Sequence, residues 1–191
     1  MGTTTFSGPV RSENGFQTIT KNATTGAITV TSGDKMAVEA TGGAGIEGTA
    51  SVYVTQVNRL KSDLTGLKDG GTAGDIIGKD GAGVAFIGQV TTANQGTVFG
   101  VTMTCLETPA GGSTDIDLFS ATEGTGVNDT AIGDLTETQI INAGAASAGT
   151  VVAGGDIAAD QFLYLVSQGT GDATYTAGRF LIEITGFDAA S

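Results

Sequence analysis

The segment 97–121 most constrains the fold of this chain, because apolar and polar residues alternate in it on both sides of a Pro/Gly break at 109–114. Before the break, the residues on one side of the alternation are Phe99, Val101, Met103 and Cys105. After the break, Ile116 and Leu118 alternate with Asp115 and Asp117. Alternation at a period of two is typical of a half-buried β-strand. Two such strands around a Pro/Gly break predict a β-hairpin, with Phe99 to Cys105 in the core.

Further runs of apolar and β-branched residues predict an all-β fold. The strongest cover 51–60, 84–90, 161–168 and 174–187, with 27–31 and 136–142 as shorter candidates, the last of which also suits a helical turn. The 32 glycines suit the turns between strands. The Ala/Gly segment 143–160 is expected to be a mobile surface loop. A total of about eight or nine strands at irregular spacing predicts a jelly-roll-like two-sheet sandwich.

The first 25 residues lack this periodicity. They are polar and threonine-rich, with turn signals at 7–9 and 13–15 and isolated large apolar residues at Phe6, Val10 and Phe16. Scattered apolar side chains suit an extended arm that inserts them into pockets on a neighbour; the alternative is a frayed terminus. The sequence therefore predicts an extended N-terminal arm over 1–25 and a β-sandwich domain over 26–191.

The charge of the chain is distributed unevenly along its length. Residues 1–79 contain seven acids and seven bases and are neutral. Residues 80–191 contain thirteen acids and one base, Arg179, which accounts for the whole net charge of −12. Nucleic acid and anionic lipid repel such a surface, so no nucleic-acid or membrane partner is expected. The acidic part either serves solubility alone or faces solvent while the neutral part lies against a partner.

The cysteine and histidine content limits the possible chemistry. The single cysteine, Cys105, lies on the apolar side of a predicted strand and is interpreted as a buried, inert thiol. The chain has no histidine, which excludes Ser-His-Asp and Cys-His catalysis and histidine metal sites. The N-terminus lacks a basic region followed by an apolar run, and no apolar run is long enough to span a membrane. Synthesis and folding in a reducing cytoplasm are therefore expected.

The carboxylates after the Pro/Gly break are the remaining candidates for a site. Asp115 and Asp117 lie one strand step apart on one face, and Glu123 and Asp129 follow in a glycine-rich segment. Oxygen-rich loops bind calcium, although the spacing over 123–129 matches no known calcium loop. Paired carboxylates can hydrolyse glycosides. However, sugar subsites normally need aromatic side chains to stack on, and the chain has no tryptophan and only three tyrosines. We interpret these acids as an exposed, solvated face and expect no cofactor.

Several phrases of the sequence resemble small virion proteins of tailed bacteriophages, and together they span most of the chain. The phrases are FSGPVRSENGF (6–16), DLTGL (63–67), AGDIIG (73–78), TCLETPAGGSTDIDLFSATEGTG (104–126), ADQFLYLV (159–166) and YTAGRFLIEITGF (175–187). The resemblance is one of phrases and includes no catalytic motif. Such proteins are typically capsid decoration or cement proteins, often β-rich trimers on the outside of the major capsid lattice.

The resemblance implies a non-enzymatic auxiliary capsid protein that binds the outside of a phage head and stabilises it. Its partners would be the major capsid protein and further copies of itself in a homotrimer. It would be made in the host cytoplasm and end on the outer surface of the virion. The residues expected to contact the capsid or a neighbouring subunit are Phe6, Pro9, Val10, Arg11 and Phe16.

Two alternatives come from other functional classes. The first is a carbohydrate-binding or host-adhesion module of a head fibre or tail, with calcium at Asp115, Asp117, Glu123 and Asp129. The missing tryptophan argues against this module. The second is a glycoside hydrolase that uses Asp115 and Asp117.

Overall fold

A computed structural model describes residues 18–21, 28–31 and 53–189, with side chains from 57 to 187. The chain divides into two compact units, Met1–Val52 and Tyr53–Ser191. In the first unit, strand β1 (Thr18–Lys21) pairs antiparallel with strand β2 (Ile28–Thr31). The strand predicted over 27–31 is therefore confirmed, and residues 18–21 of the predicted arm form a paired strand.

The second unit consists of nine strands and two short helical segments. The strands are β3 (Tyr53–Asp63), β4 (Asp75–Ile76), β5 (Gly88–Gln89), β6 (Thr97–Ala110), β7 (Ile116–Ala121), β8 (Glu137–Ile141), β9 (Val151–Gly154), β10 (Phe162–Ser167) and β11 (Ala177–Ala189). The helical segments are α1 (Thr92–Gln95) and a 3-10 turn (Ile132–Asp134). Within the described part of the chain, neither helical segment has the length or the apolar composition of a membrane span.

The nine strands form two antiparallel sheets. The first sheet has the order β3-β11-β6-β9, and the second has the order β4-β10-β7-β8, with β5 also paired to β10. Without the two-residue β5, the eight strands in chain order give the sheets 1-8-3-6 and 2-7-4-5. This is the strand order of a jelly roll, in which two Greek keys form a sandwich. The predicted jelly-roll-like sandwich is therefore confirmed.

The main core lies between the two sheets and is filled by the inward side of each strand. On β11, Phe180, Ile182 and Ile184 are buried, as their alternation predicted. They belong to one cluster with residues of β6, β7 and β10: Val101, Met103, Cys105, Ile116, Leu118, Leu163 and Leu165. Complete burial of a side chain of this size stabilises the fold by about 1.5–3 kcal/mol, so this layer is the principal source of stability.

A second apolar cluster covers the outer side of the second sheet. All six residues of β7 are buried, because Ile116 and Leu118 face the main core while Phe119 faces the opposite side. Phe119 belongs to a cluster with Ile76, Ala121, Ile132, Tyr164 and Val166. The Tyr164 hydroxyl donates a hydrogen bond to the Glu123 carbonyl (2.8 Å), which holds the segment after β7 against the sheet. The second sheet is thus apolar on both sides.

The hairpin predicted over 97–121 is wrong, because its two strands belong to different sheets. β6 pairs with β11 and β9, whereas β7 pairs with β10 and β8. The connecting segment crosses between the sheets, and the Asp69 carboxylate accepts a hydrogen bond from its Ser113 N–H (2.9 Å). Alternation shows which residues share a face of a strand, but it does not show which strand is the partner.

The prediction that Phe99 is in the core is also wrong, because a β-bulge interrupts the alternation of β6. Gly100 lies opposite Thr185 and Val98 lies opposite Gly186, so Phe99 is the extra residue on its strand. A bulge of this kind redirects the side chains around it. As a result Val98 is buried, at 6% exposure, and Phe99 is 55% exposed.

Two other sequence predictions differ from the structure in part. The segment 143–160, predicted to be a mobile loop, contains β9, which pairs with β6, and its Ala146 and Ile157 are buried. The strand predicted over 84–90 shrinks to β5, with an isolated bridge between Val84 and Val127. The runs at 51–60, 136–142, 161–168 and 174–187 are confirmed as β3, β8, β10 and β11.

Gly186 provides a test of the bulge that brings Phe99 to the surface. A Cβ on Gly186 would collide with the backbone carbonyl oxygen of Gln95, whereas a Cβ on Gly100 would have nothing within 4 Å. We expect Gly186→Ala to lower the free energy of unfolding by about 1–3 kcal/mol, as overpacking of a core does. Denaturant unfolding measures the change.

Gly100→Ala, in the strand next to Gly186, is the matched control. We expect it to be neutral or to stabilise by about 0.5–1 kcal/mol, because alanine loses less backbone entropy on folding than glycine. Equal effects of the two substitutions would contradict the described packing at the bulge.

Candidate functional site

The outward side of the first sheet is the candidate interaction surface. Residues opposite each other in the register point to the same side of a sheet, and Phe180, Ile182 and Ile184 occupy the inner side. The intervening residues of β11 and their neighbours on β3, β6 and β9 therefore point outward. We call this surface the outer sheet face. Its large apolar members are Val57, Val151 and Leu181, together with the exposed bulge residues Phe99 and Leu106 of β6, which have no partner in the register. Its charged members are Arg59, Lys61, Asp63, Glu107, Arg179 and Glu183.

Exposed apolar side chains concentrate on the outer sheet face. Residues 57–187 contain six exposed large apolar side chains, and four lie on this face: Val57 (47%), Phe99 (55%), Leu106 (45%) and Val151 (62%). The ring of Phe99 lies 6.1 Å from that of Phe187, centre to centre. A single exposed apolar residue is ordinary, and the presence of four on one sheet face makes this face the candidate for protein interaction.

Ion pairs position the charged side chains of the outer sheet face. Arg59 Nε lies 2.8 Å from Glu183 Oε1, and Arg179 Nε lies 3.1 Å from Asp63 Oδ2 and 3.5 Å from Glu107 Oε2. Hydrogen bonds from Thr65, with a further one from Arg179, lower the pKa of Asp63 to about 2. The Asp63 and Glu107 carboxylates raise the pKa of Arg179. Exposed pairs of this kind contribute little to stability, so their main effect is to fix geometry.

The outer sheet face is electrically neutral, whereas the rest of the unit is strongly acidic. The face carries three acids and three bases, and the remaining residues of 57–187 include twelve acids and two bases. Those two bases are Lys79 and Lys68, and Lys68 is paired with Asp80 (3.2 Å) and Asp172 (3.3 Å). The uneven charge along the sequence is thus also a difference between surfaces.

A pocket of about 600 Å³ lies on the outer side of the second sheet. It forms where five loops meet, and each loop contributes lining residues: Gly74 after β3, Asp115 before β7, Ile132 after β7, Asn142 after β8 and Gln168 after β10. Its other lining residues include Asp117 and Phe119 of β7 and Gln139 of β8. The pocket combines hydrogen-bonding side chains with one aromatic ring.

The prediction that Asp117 is exposed on a solvated acidic face is wrong. Asp117 is 1% exposed, because β7 is covered on both sides. Its Oδ2 accepts a hydrogen bond from Gln139 Nε2, and its Oδ1 accepts one from the Ala143 N–H, both at 2.8 Å. Asp117 therefore joins β7 to β8 and to the loop that follows β8.

Asp115 is half-buried beside Asp117, and its environment disfavours its charge. Its Oδ1 is buried and has no hydrogen-bond partner among the described residues. Burial, together with the nearby Asp117 carboxylate, raises the pKa of Asp115. The two aspartates that look equivalent in the sequence are therefore in opposite situations, one with its carboxylate satisfied and the other without a partner for Oδ1.

The other two proposed calcium ligands lie outside the pocket. Glu123 accepts hydrogen bonds from the Thr136 hydroxyl (2.8 Å) and N–H (2.9 Å), which lower its pKa. Asp129, at φ +62°, accepts a hydrogen bond from the Gly71 N–H (2.9 Å). The structure brings Asp115 and Asp117 together but not Glu123 and Asp129. Across the described ranges, no three or more Asp, Glu, His or Cys side chains form a group that could hold a metal ion.

Cys105 is a buried thiol, as the sequence predicted. It is 2% exposed, and its Sγ–H donates a hydrogen bond to the Glu107 carbonyl (3.3 Å). Burial raises the pKa of the thiol, which keeps it protonated.

Two buried aspartates, Asp69 and Asp75, have structural roles that sequence reasoning missed. Asp69 is 2% exposed and accepts hydrogen bonds from the N–H groups of Ser113 (2.9 Å) and Ala173 (2.7 Å), which ties three loops together. Asp75 accepts one from the Thr72 N–H (2.8 Å). Their only sequence signal is a neighbouring glycine, which indicates a turn but not burial.

The five residues predicted to contact the capsid or a neighbouring subunit, Phe6, Pro9, Val10, Arg11 and Phe16, lie outside the described residues. Their role stays a prediction from the sequence.

Comparisons with protein-family models, with curated proteins and with solved structures find no match to this chain. The assignment of the fold rests on the strand order of the two sheets.

The contrast between Asp115 and Asp117 leads to opposite effects of the same substitution. We expect Asp117→Asn to lower the free energy of unfolding by about 1–3 kcal/mol, because two donors lose a buried carboxylate. We expect Asp115→Asn to raise it at pH 7, because the substitution removes a charge that the folded state disfavours. Chemical denaturation of both variants at pH 7 measures the signs.

The pH dependence of Asp115→Asn gives a second check. A carboxyl with a raised pKa in the folded state lowers stability as pH rises above its ordinary pKa of 3.8, because the folded state keeps the proton longer. The increase in the free energy of unfolding that Asp115→Asn produces should therefore be larger at pH 7 than at pH 3. A gain that is equal at both pH values would show that Asp115 does not carry this penalty.

Proposed function

We propose that this protein is an auxiliary capsid protein of the decoration or cement type, which binds the outside of a phage head and stabilises it. The observation that carries the proposal is a neutral sheet face with exposed apolar side chains on an otherwise acidic jelly roll. Such a separation is expected of a protein that meets partners on one side and solvent on the others. The phrases that resemble phage virion proteins also support it.

The jelly-roll strand order agrees with this proposal as an analogy. Jelly rolls occur in viral capsid proteins, but also in lectins and cupins, so the fold alone does not select a function. What favours a structural role is the use of the polar groups. Asp117 is engaged by Gln139 and Ala143, and the Cys105 thiol is held protonated. These groups serve the fold, and no enzymatic activity is proposed.

The proposed partners are the major capsid protein and further copies of this chain, as a homotrimer. The N-terminal arm would reach the capsid, with Phe6, Val10 and Phe16 filling apolar pockets and the backbone adding hydrogen bonds at a strand edge. An oligomer would combine several weak contacts of this kind into stable attachment. The acidic surfaces would face solvent on the outside of the virion.

Deletion of residues 2–20 tests the arm. We expect the truncated protein to keep its sandwich, because β3 to β11 form a separate unit. We also expect its affinity for heads stripped of this protein to fall by about 100-fold or more, since avidity multiplies the effect of each lost contact. Occupancy of stripped heads, quantified after sedimentation, measures the loss, and circular dichroism verifies folding.

Substitutions that keep the arm at full length provide the control for the deletion. The triple variant Phe6→Ser, Val10→Ser, Phe16→Ser should bind as poorly as the truncation, whereas Thr4→Ser with Thr5→Ser should bind normally. Full occupancy of heads by the truncated protein would refute the role of the arm.

One observation favours a second candidate function, a carbohydrate-binding module. The pocket beside β7 carries Gln139, Asn142 and Gln168 next to Phe119, and amide side chains with an aromatic ring can hold a sugar. Glycan-array binding that Asn142→Ala and Gln139→Ala abolish would support this candidate. Loss of that binding with a chelator would further indicate a calcium-dependent module.

A further inference from the structure

We infer that neighbouring copies of this chain meet through the outer sheet face. The inference rests on the self-association included in the proposed function and adds the surface that forms it. The occupant of the face is a further copy of the chain, and in the proposed homotrimer the outer sheet faces of the copies would turn toward a common three-fold axis.

Charge is the first reason to choose a second copy as the occupant. Each copy carries a net charge of −12, so two copies repel each other when their acidic surfaces approach. Within residues 57–187, the outer sheet face has three acids and three bases, while the remaining residues have twelve acids and two bases. The approach of one copy to another therefore costs least when the neutral faces meet.

Exposed apolar area is the second reason. Val57, Phe99, Leu106 and Val151 lie on strands of a single sheet and are 45–62% exposed. Removing such side chains from water favours association, because the hydrophobic effect increases with the apolar surface that is buried. Phe99 adds an aromatic ring, which is typical of the buried centre of an interface.

The rigidity of the surface is the third reason. The face is built on β3, β6 and β11, which are the three longest described strands and pair with one another over most of their length. Side chains on such strands lose little backbone freedom on association, which lowers the entropic cost of binding. The Arg59–Glu183 pair adds polar groups that can pair again across an interface, because Arg59 is 65% exposed.

Lys61 is the third base of the outer sheet face. Within residues 57–187 it forms no ion pair, and it lies opposite Leu181 on β3, the edge strand of the first sheet. A lysine at this position can cover apolar surface with its stem while its ammonium stays in solvent.

Valine-to-aspartate substitutions test the inference with a matched control. Val57 (47% exposed) and Val151 (62%) lie on the outer sheet face, whereas Val84 (51%) does not. All three substitutions add the same charge at similar exposure. We expect the full-length wild type to self-associate in sedimentation velocity over a concentration series. Val57→Asp and Val151→Asp should each weaken association about tenfold or more, equivalent to about 1.4 kcal/mol, and Val84→Asp should leave it unchanged.

The dependence on salt separates this contact from other ways of association. Association through neutral faces should strengthen as salt screens the repulsion between the acidic copies. A contact between the basic residues of one copy and the acidic surface of the next would weaken with salt, and that result would overturn the inference. A monomeric wild type, or equal effects of Val57→Asp and Val84→Asp, would also overturn it. Thermal unfolding of each variant verifies that it is folded.

Head binding, measured separately, distinguishes this inference from the proposed function. If the wild type associates through the face but does not bind stripped heads, the capsid function is wrong and the inference stands. If it binds heads while Val57→Asp and Val151→Asp leave its mass unchanged, the function stands and the inference is wrong.

Discussion

Burial of the inner side of β11 is the interaction on which the rest of the sandwich depends. This thirteen-residue strand lies between β3 and β6, and its Phe180, Ile182 and Ile184 fill the centre of the main core. Because side chains alternate along a strand, the same burial forces Leu181 and Glu183 outward. The packing of the core and the composition of the outer sheet face are therefore two consequences of one alternating sequence.

The sequence predicted the parts of the fold that depend on alternation within one strand. The buried side of β11 and the all-β class follow from that local pattern, and the buried thiol of Cys105 follows from its place in β6. The pairing of the strands could not be predicted, because β6 and β7 form hydrogen bonds with strands that are distant in the sequence. The bulge at Phe99 lies beside Gly186, where a Cβ would collide with Gln95, and only the folded chain reveals this lack of space. The burial of Asp117 likewise depends on loops that cover β7 from outside its sheet.

The candidate functional surfaces could likewise be predicted from the sequence only in part. The difference in charge between the neutral residues 1–79 and the acidic residues 80–191 is visible in the sequence itself. The sequence did not show that Arg59 and Lys61 of β3 lie on the same face as Arg179 of β11. That prediction would need the register between the two strands. It also did not show that Asp115 and Asp117 differ. Only the tertiary structure supplies hydrogen-bond donors to both oxygens of Asp117 and leaves Oδ1 of Asp115 without a donor among the described residues. A neutral surface with exposed apolar side chains on a strongly acidic protein is the property that connects the fold to the proposed assembly.

Hydroxyl-radical footprinting tests most directly whether the outer sheet face is covered when the protein assembles. Phe99 and Leu106 report on the face, and Phe86, which is 36% exposed, is an internal reference that lies elsewhere. Comparison of the diluted protein with the assembled protein should show that oxidation of Phe99 and Leu106 falls on assembly while oxidation of Phe86 stays constant. Equal oxidation of Phe99 and Leu106 in both states would contradict a role for this face in assembly.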